Sequence, residues 1–295
     1  MTGFSADWLA LRESFDRAAR EASAAAFDLV GLARRLRGDG ATLGVLDLAS
    51  GTGANLRELA PRLGGAQHWR LVDHDPRLLA ALPGALAAWA AAQGFAVRTQ
   101  GDRLRIEGPD WQADVEVVHL DLAHELTALP LAGVGLITAS ALLDLVSAAW
   151  LDQLLARACA AKAALLFALT VDGRVDWTPK RAADEAVLRL FEAHQRGDKG
   201  FGPALGGRAV EAVADRLRAL GCELQRIASD WHIDARDGAQ AQAMLAALIE
   251  GSAAAAREQD AGAAASVAAW SAERMQLLVR TRLRIGHADL LAVWP

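Results

Sequence analysis

The chain is poor in cysteine. Cys159 and Cys222 are the only two in 295 residues, and they lie far apart, in helix-like and helix-end contexts. Two isolated thiols give no zinc framework and suit a reducing compartment. Long apolar runs are also missing: none reaches the roughly 18–20 residues that a membrane helix needs. The first segment, MTGFSADWLALRESF, is amphipathic and mixed in charge, unlike a signal peptide. A cytoplasmic location follows as the expectation. A basic excess is absent as well. A net charge of −5 argues against a protein that grips nucleic acid by charge alone, although a local basic patch stays open. There is no internal repeat.

What is present is a soluble globular composition, 53% apolar and 23% charged. The length allows one enlarged domain or two small ones. Excess alanine favours helix.

Residues 5–37 read as one helix, stopped at Gly38-Asp39-Gly40. VLDLA (45–49) reads as a first strand, followed by a helix from Asn55 to Leu63. HWRLVD (68–73) is a second strand, and a helix opens at Pro76 and runs to about Gln93. FAVRT and RLRIE, joined by QGD, suggest a small hairpin. VEVVHLD (115–121), GLITASAL (135–142) and AALLFALTV (163–171) are the third, fourth and fifth strands. The continuous apolar character of the last fits a parallel strand buried on both faces. Ser147 is a plausible cap for a helix over 147–160. Beyond strand five come an irregular DGRVDWTPKR, helices over 183–196 and 208–220, and a sixth strand over 223–233. Two Ala-rich helices near 238–257 and 263–284 follow, and a seventh strand over 288–294. Five βα alternations predict a doubly wound parallel sheet, with ligands bound outside the carboxyl ends of its strands, beside the first.

That first strand runs into Ser50-Gly51-Thr52-Gly53. A dinucleotide fingerprint wants a third glycine where Leu56 stands, and a phosphate loop wants a lysine that is missing. Asp47, inside the apolar strand, needs a partner, because unpaired burial of a polar group costs several kcal/mol. The helix N-terminus beyond Gly53 offers free N–H groups to a carboxylate. Amine and carboxylate together make a zwitterion, such as an amino acid moiety, a better fit than a pyrophosphate. Asp73 ends the second strand, 22 residues after Gly51, where a carboxylate can accept from both hydroxyls of a ribose. Asp121 ends the third, where it can meet a base edge. Each acid also has a plainer reading: Asp73 as a strand-end acid, Asp121 as the cap of the next turn, His74 and Asp75 as a helix start.

VLDLASGTGANL, LVDHDPRLL, VVHLDL and GLITASALLDLV, in that order and spacing, resemble the motifs of class I S-adenosylmethionine-dependent methyltransferases. The resemblance covers roughly 40–235 plus the last strand. It implies a Rossmann-like α/β sheet of seven strands with the last antiparallel. It also implies helical insertions over the acceptor site, at 172–207 and 238–284. Residues 1–40 would form an N-terminal helical cap and 41–295 the methyltransferase domain, as one structural unit. S-adenosyl-L-methionine is the implied cofactor. Asp47, Ala49, Ser50, Gly51, Thr52 and Gly53 would lie near its methionine end. Asp73 and His74 would lie at the ribose, Asp121 and Leu122 near the adenine, and Ser140 at the end of the fourth strand.

Methyl transfer from a sulfonium is an in-line displacement, which needs positioning first and a base only when the acceptor must lose a proton. The base-methylating Asn/Asp-Pro-Pro-aromatic pattern is absent after the fourth strand, and neither cysteine follows a proline. The insertions instead suggest a small-molecule pocket. HQRGDKGFGPALGG reads either as a lid over substrate or as a plain surface loop. His194 and His232 are candidate bases, each also readable as an ordinary histidine at a helix or strand end. Asp144 and Asp172 follow strands four and five and can face the methyl group. No metal is expected, since the acid pair of metal-dependent relatives is incomplete. The basic segment RTRLRIGH reads as a solvated helix end. An RNA or protein methyltransferase, a non-catalytic S-adenosylmethionine-binding protein and an NAD oxidoreductase stand as alternatives, the last disfavoured by Leu56.

Overall fold

A computed structural model describes residues 5–38, 40–101 and 103–295. Asp39 of the first helix stop and Asp102 of the hairpin turn lie outside the described residues, as do the first four residues of the N-terminal segment.

The chain opens with two helices rather than one, α1 (Ala6–Ala24) and α2 (Leu29–Arg37). Asp28 makes the break: its carboxylate accepts from Gly31 N, capping a new start. Then come β1 (Thr42–Leu48), α3 (Ala54–Leu63), β2 (Gly65–Asp73) and α4 (Pro76–Gln93). Asp75 caps α4 ahead of Pro76, whose missing N–H costs nothing in a first turn. The hairpin β3 (Ala96–Gln100) and β4 (Arg103–Glu107) leads into β5 (Trp111–His119). β5 stops two residues before Asp121, so the expected strand end at 120–121 is the start of a turn instead. β6 (Leu136–Ser140), α5 (Ala148–Ala161) and β7 (Ala164–Thr178) follow. Ser147 caps α5 by accepting from Trp150 N at 3.2 Å.

β7 runs through the stretch expected to be irregular, because its outer half finds a partner in the far end of the chain. α6 (Asp184–Gln195) and α7 (Ala209–Ala219) match the expected helices. The expected sixth strand is split into β8 (Glu223–Ala228) and β9 (Trp231–Asp234). Asp230 lies in the break, accepting from His287 N and Arg284 Nε. After α8 (Ala239–Gln259) and α9 (Ala264–Gln276), β10 (Arg282–Val293) closes the chain. The basic segment is therefore mostly strand, not a helix end. Leu283 and Ile285 pack inward while Arg282 stays exposed, a period of two.

The described sheet has ten strands, not seven, ordered β3-β4-β5-β2-β1-β6-β7-β10-β8, with β9 paired to β10. The hairpin and the split sixth strand account for the excess. β5, β2, β1, β6 and β7 are mutually parallel, and β10 is antiparallel to β7, β8 and β9. From β1 the chain winds out to β5, then returns to β6 on the other side of β1. The switch point between β1 and β6 is where such a sheet opens a crevice. One apolar cluster packs α5 and α7 on one face, and a second packs α2, α3 and α4 on the other. A third joins α1, α6, α8 and α9 to the outer halves of β7, β9 and β10.

α6 and α9 are held together in that third cluster by Arg274, which is fully buried. It donates to Asp184 from Nε at 3.0 Å and to the Pro179 carbonyl at 3.0 Å, and it lies 4.7 Å from the Trp177 ring centre. Burial alone would raise the Asp184 carboxyl, but hydrogen bonds from Arg274 and Trp270 outweigh it and hold the group below the usual carboxylate range.

Candidate functional site

The turn after β1 is built from left-handed backbone. Ala49 has φ 53°, Gly51 55° and Gly53 81°. Gly53 supplies no side chain to cap α3, so the first helical N–H groups have no side-chain acceptor. Ser50 Oγ is buried and has no partner among the described residues. The Thr52 carbonyl accepts from Arg57 at 2.7 Å, and Arg57 in turn pairs with Glu13 of α1 at 2.9 Å. α1 thus lies over the turn, with Leu9 against Gly51: a methyl group on Gly51 would come within 3.2 Å of it.

Asp73 is buried and reaches back to this turn. One carboxylate oxygen accepts from Gly51 N at 2.8 Å, the other from Asp75 N at 3.0 Å. Each oxygen retains a further lone pair. His74 is largely exposed, its Nδ1 3.6 Å from Asp73.

Asp47 is fully buried. Its Oδ1 accepts from Asn55 Nδ2 at 2.7 Å, and the same amide donates to Thr138 Oγ1 at 2.9 Å. The partner found for the strand acid is thus an amide from α3, a post that ties β1, α3 and β6 together. Its Oδ2 has no partner. Burial pushes the carboxyl up to about 7, partly offset by the Asn55 hydrogen bond and the charge of Arg20.

Asp121 sits in the turn after β5, accepting from Ala123 N and His124 Nδ1, both at 2.9 Å. These bonds outweigh its partial burial and lower its carboxyl. Leu122 is buried, and its carbonyl accepts from Trp150. Ser140 ends β6, next to Ala141 at φ 51°.

Beside this edge opens a cavity of about 1020 Å³. Its walls come from α1, α6, α8, α9 and the outer halves of β7 and β10, and are chiefly apolar. Trp8, Trp177, Phe191, Trp231, Trp270 and Leu248 supply much of the surface. Ala141 and Asp144 bring the loop after β6 to it, and Asp75 and Arg77 bring the start of α4. Asp144 Oδ1 is buried without a partner, and burial raises its carboxyl to about 6.

His194 also lines the cavity, but its Nε2 is 3.1 Å from Glu258 and its Nδ1 3.5 Å from Lys199. His232 is not brought there. It sits on β9 between Trp231 and Ile233, which both point inward, so period two turns it out to solvent. Asp172 binds Arg174 rather than facing the cavity. Sequence reasoning missed His287, which is buried, lines the cavity and has its ring centre 4.9 Å from that of Trp231, the planes tilted at 46°. It was hidden in the segment read as a solvated helix end. Among the described residues no group of three or more His, Cys, Asp or Glu is arranged to hold a metal ion. No described helix is long and apolar enough to cross a membrane.

No family model and no curated protein matches the chain. Solved structures do resemble it at low identity. A cyclopropane-fatty-acyl-phospholipid synthase-like protein from Lactobacillus casei is 13% identical, with 98% of this chain and 94% of that one covered and a TM-score of 0.47. A SAM-dependent methyltransferase from Geobacter sulfurreducens, in complex with S-adenosyl-L-homocysteine, is 15% identical, with 99% of each chain covered and a TM-score of 0.44. A SAM-dependent methyltransferase from Thiobacillus denitrificans, also with S-adenosyl-L-homocysteine, is 16% identical, with 99% and 100% covered and a TM-score of 0.43.

Proposed function

We propose that this chain is a class I S-adenosylmethionine-dependent methyltransferase whose acceptor is a small molecule. One observation carries the reading. The Ser50–Gly53 turn lies at the switch point of the sheet, tied to Asp73, and the adjoining loop after β6 opens onto a cavity lined mainly by apolar side chains. Partnerless Ser50 Oγ and the uncapped start of α3 fit a ligand carboxylate. The remaining lone pairs of Asp73 fit ribose hydroxyls, with His74 beside them, and Asp121 and Leu122 fit an adenine edge. Asp47 acts through Asn55 rather than by touching the ligand.

Bound there, S-adenosylmethionine supplies an electrophilic methyl group on a sulfonium. The chain's part is to hold the acceptor in line and to exclude water, effects together worth up to about 7–11 kcal/mol. Apolar walls do both. Asp144, with its carboxyl near 6 and one oxygen unpaired, is suited to take a proton near neutral pH. His194 lines the same cavity but is engaged by Glu258 and Lys199. The exposed position of His232 removes it from the proposal. A cavity walled chiefly by apolar side chains suits a small acceptor better than an RNA or a protein. A cytoplasmic location belongs to the same proposal, supported by free Cys159 and Cys222.

Calorimetric titration with S-adenosylhomocysteine tests it. Wild type is expected to bind. Asp73→Ala removes a charge-assisted acceptor worth about 1.5–3 kcal/mol, and affinity is expected to fall roughly 10–150-fold. Equal affinity in the two proteins would overturn the ribose assignment. No binding by the folded wild type would overturn the reading as a whole.

A further inference from the structure

Among the cavity-wall groups without a hydrogen-bond partner are Asp144 Oδ1 and the Nε2 of His287. The second is the less ordinary. Its ring is fixed from several sides. His287 Nδ1 lies 3.1 Å from the Ile285 carbonyl, which only accepts, so Nδ1 must carry the hydrogen. The backbone N–H donates to Asp230 at 3.0 Å, and the backbone carbonyl accepts from Ser229 N at 2.9 Å. Trp231 packs on the ring. The backbone bonds fix the main chain and the Nδ1 bond and Trp231 fix the ring, so Nε2 presents a bare lone pair.

The surroundings keep it bare. Charged groups near His287 are Arg12 on α1, Asp172 and Arg174 on β7, Asp230 before β9 and Arg284 on β10. Asp172 and Asp230 are both bound by Arg174, and Asp230 also by Arg284. Arg12 lies 4.9 Å from the Trp231 ring centre and pairs with Asp16. Burial first, then the positive charge of Arg12, lowers His287 to about 4. It is neutral throughout the physiological range.

Three other charges on the wall are matched, while Asp144, Glu192 and Lys199 have no ion-pair partner among the described residues. Asp184 is held by Arg274, Asp75 by Arg77, and His194 by Glu258. An apolar ligand would meet four tryptophans and aliphatic side chains there. The volume, about 1020 Å³, is at the upper end for small-molecule sites.

We infer that this cavity binds a mainly apolar molecule bearing a hydroxyl or N–H group, and that His287 Nε2 accepts the hydrogen bond from that group and so orients it. As a binding statement it stands alone; as the acceptor subsite it rests on the methyltransferase reading. His287 then selects acceptors whose nucleophilic atom still carries a hydrogen, and it acts here as a positioning residue.

The test uses 1-naphthol and 1-methoxynaphthalene, which share an apolar body but differ in the donor. The full chain, labelled with ¹⁵N-histidine, is observed in long-range ¹H–¹⁵N spectra, with His287 assigned by its loss in His287→Gln. The expected result is an unprotonated Nε2 from pH 5.5 to 8 whose resonance moves with 1-naphthol and stays with the ether. Competition against Nile red is expected to show wild type preferring 1-naphthol by about three- to tenfold. His287→Leu should lose that preference, and His287→Gln, whose amide oxygen accepts, should recover part of it. A protonated Nε2 in that range, a resonance indifferent to 1-naphthol, or equal preference in wild type and His287→Leu would overturn the inference. The wild-type spectra decide the matter even where His287→Leu does not fold. Loss of S-adenosylhomocysteine binding with the naphthol response intact would refute the methyltransferase reading alone.

Discussion

Replacing Asp47 by Asn should make the protein more stable at alkaline pH and less stable in acid. The carboxyl is fully buried, and burial raises it from 3.8 to about 7, against the pull of Asn55 and Arg20. The folded state therefore holds a proton that the unfolded chain releases near pH 4. For an acid raised in this way, stability falls as pH climbs between the two values and is lowest above the folded one. About three pH units at roughly 1.4 kcal/mol each give an upper limit of about 4 kcal/mol lost above pH 7. Asn cannot ionise, so this loss disappears. Its oxygen still accepts from Asn55 Nδ2, but its amide N–H₂ stands where Oδ2 has no partner, which costs about 1–3 kcal/mol. The net expectation is a variant more stable by about 1–3 kcal/mol at pH 8.5, and less stable by up to about 2 kcal/mol at pH 4.5, where wild type has already lost about 1 kcal/mol. At roughly 2–4 °C per kcal/mol, Tm should cross that of wild type between those limits. Thermal melts followed by tryptophan fluorescence at half-unit pH steps measure it. Parallel Tm curves for the two proteins would refute the reasoning.

Two further predictions concern the walls of the site. Arg274→Met leaves Asp184 without its main partner, and equilibrium urea unfolding should show a loss of about 3–5 kcal/mol. Asp184 lies below its usual range chiefly through Arg274, with Trp270 and the Arg181 N–H adding hydrogen bonds, so wild-type stability should hold above pH 4 and drop as pH falls through the folded value, a drop that should be smaller in Arg274→Met. Gly207→Ala places a methyl group 2.7 Å from Gly173 Cα, where backbone must move, and should cost about 1–3 kcal/mol by the same measurement.

Legibility of the sequence followed the range of the forces involved. The strand, glycine turn and helix around Ser50–Gly53 are local, and so is the Asp75-Pro76 start of α4. All were readable from neighbours in the chain. Asp73 could be linked to the turn because both lie at strand ends of adjacent βα units. The break at Asp28 was equally local, a carboxylate capping Gly31, but it lay inside a continuous apolar pattern. The outer halves of β7 and β10 are different. Thr170 to Thr178 is strand because it pairs with residues more than a hundred positions away. Arg282-Leu283-Arg284-Ile285 has period two, but a helical stretch precedes it and its arginines suited a helix end. His287 was hidden for that reason, and because its burial comes from α1 and β9, which reach it only through the fold. The cover of α1 over Gly51 has no signal in either segment alone.

The central claim is that the turn after β1 holds the methyl donor with its sulfur toward the cavity. A crystal structure of the full chain grown with S-adenosylhomocysteine measures this directly. The account predicts ribose hydroxyls on Asp73, the amino acid end at Ser50–Gly53 and the sulfur facing the space between Ala141 and Asp144. Density for the nucleoside elsewhere on the protein, or a sulfur turned away from the cavity, would contradict it.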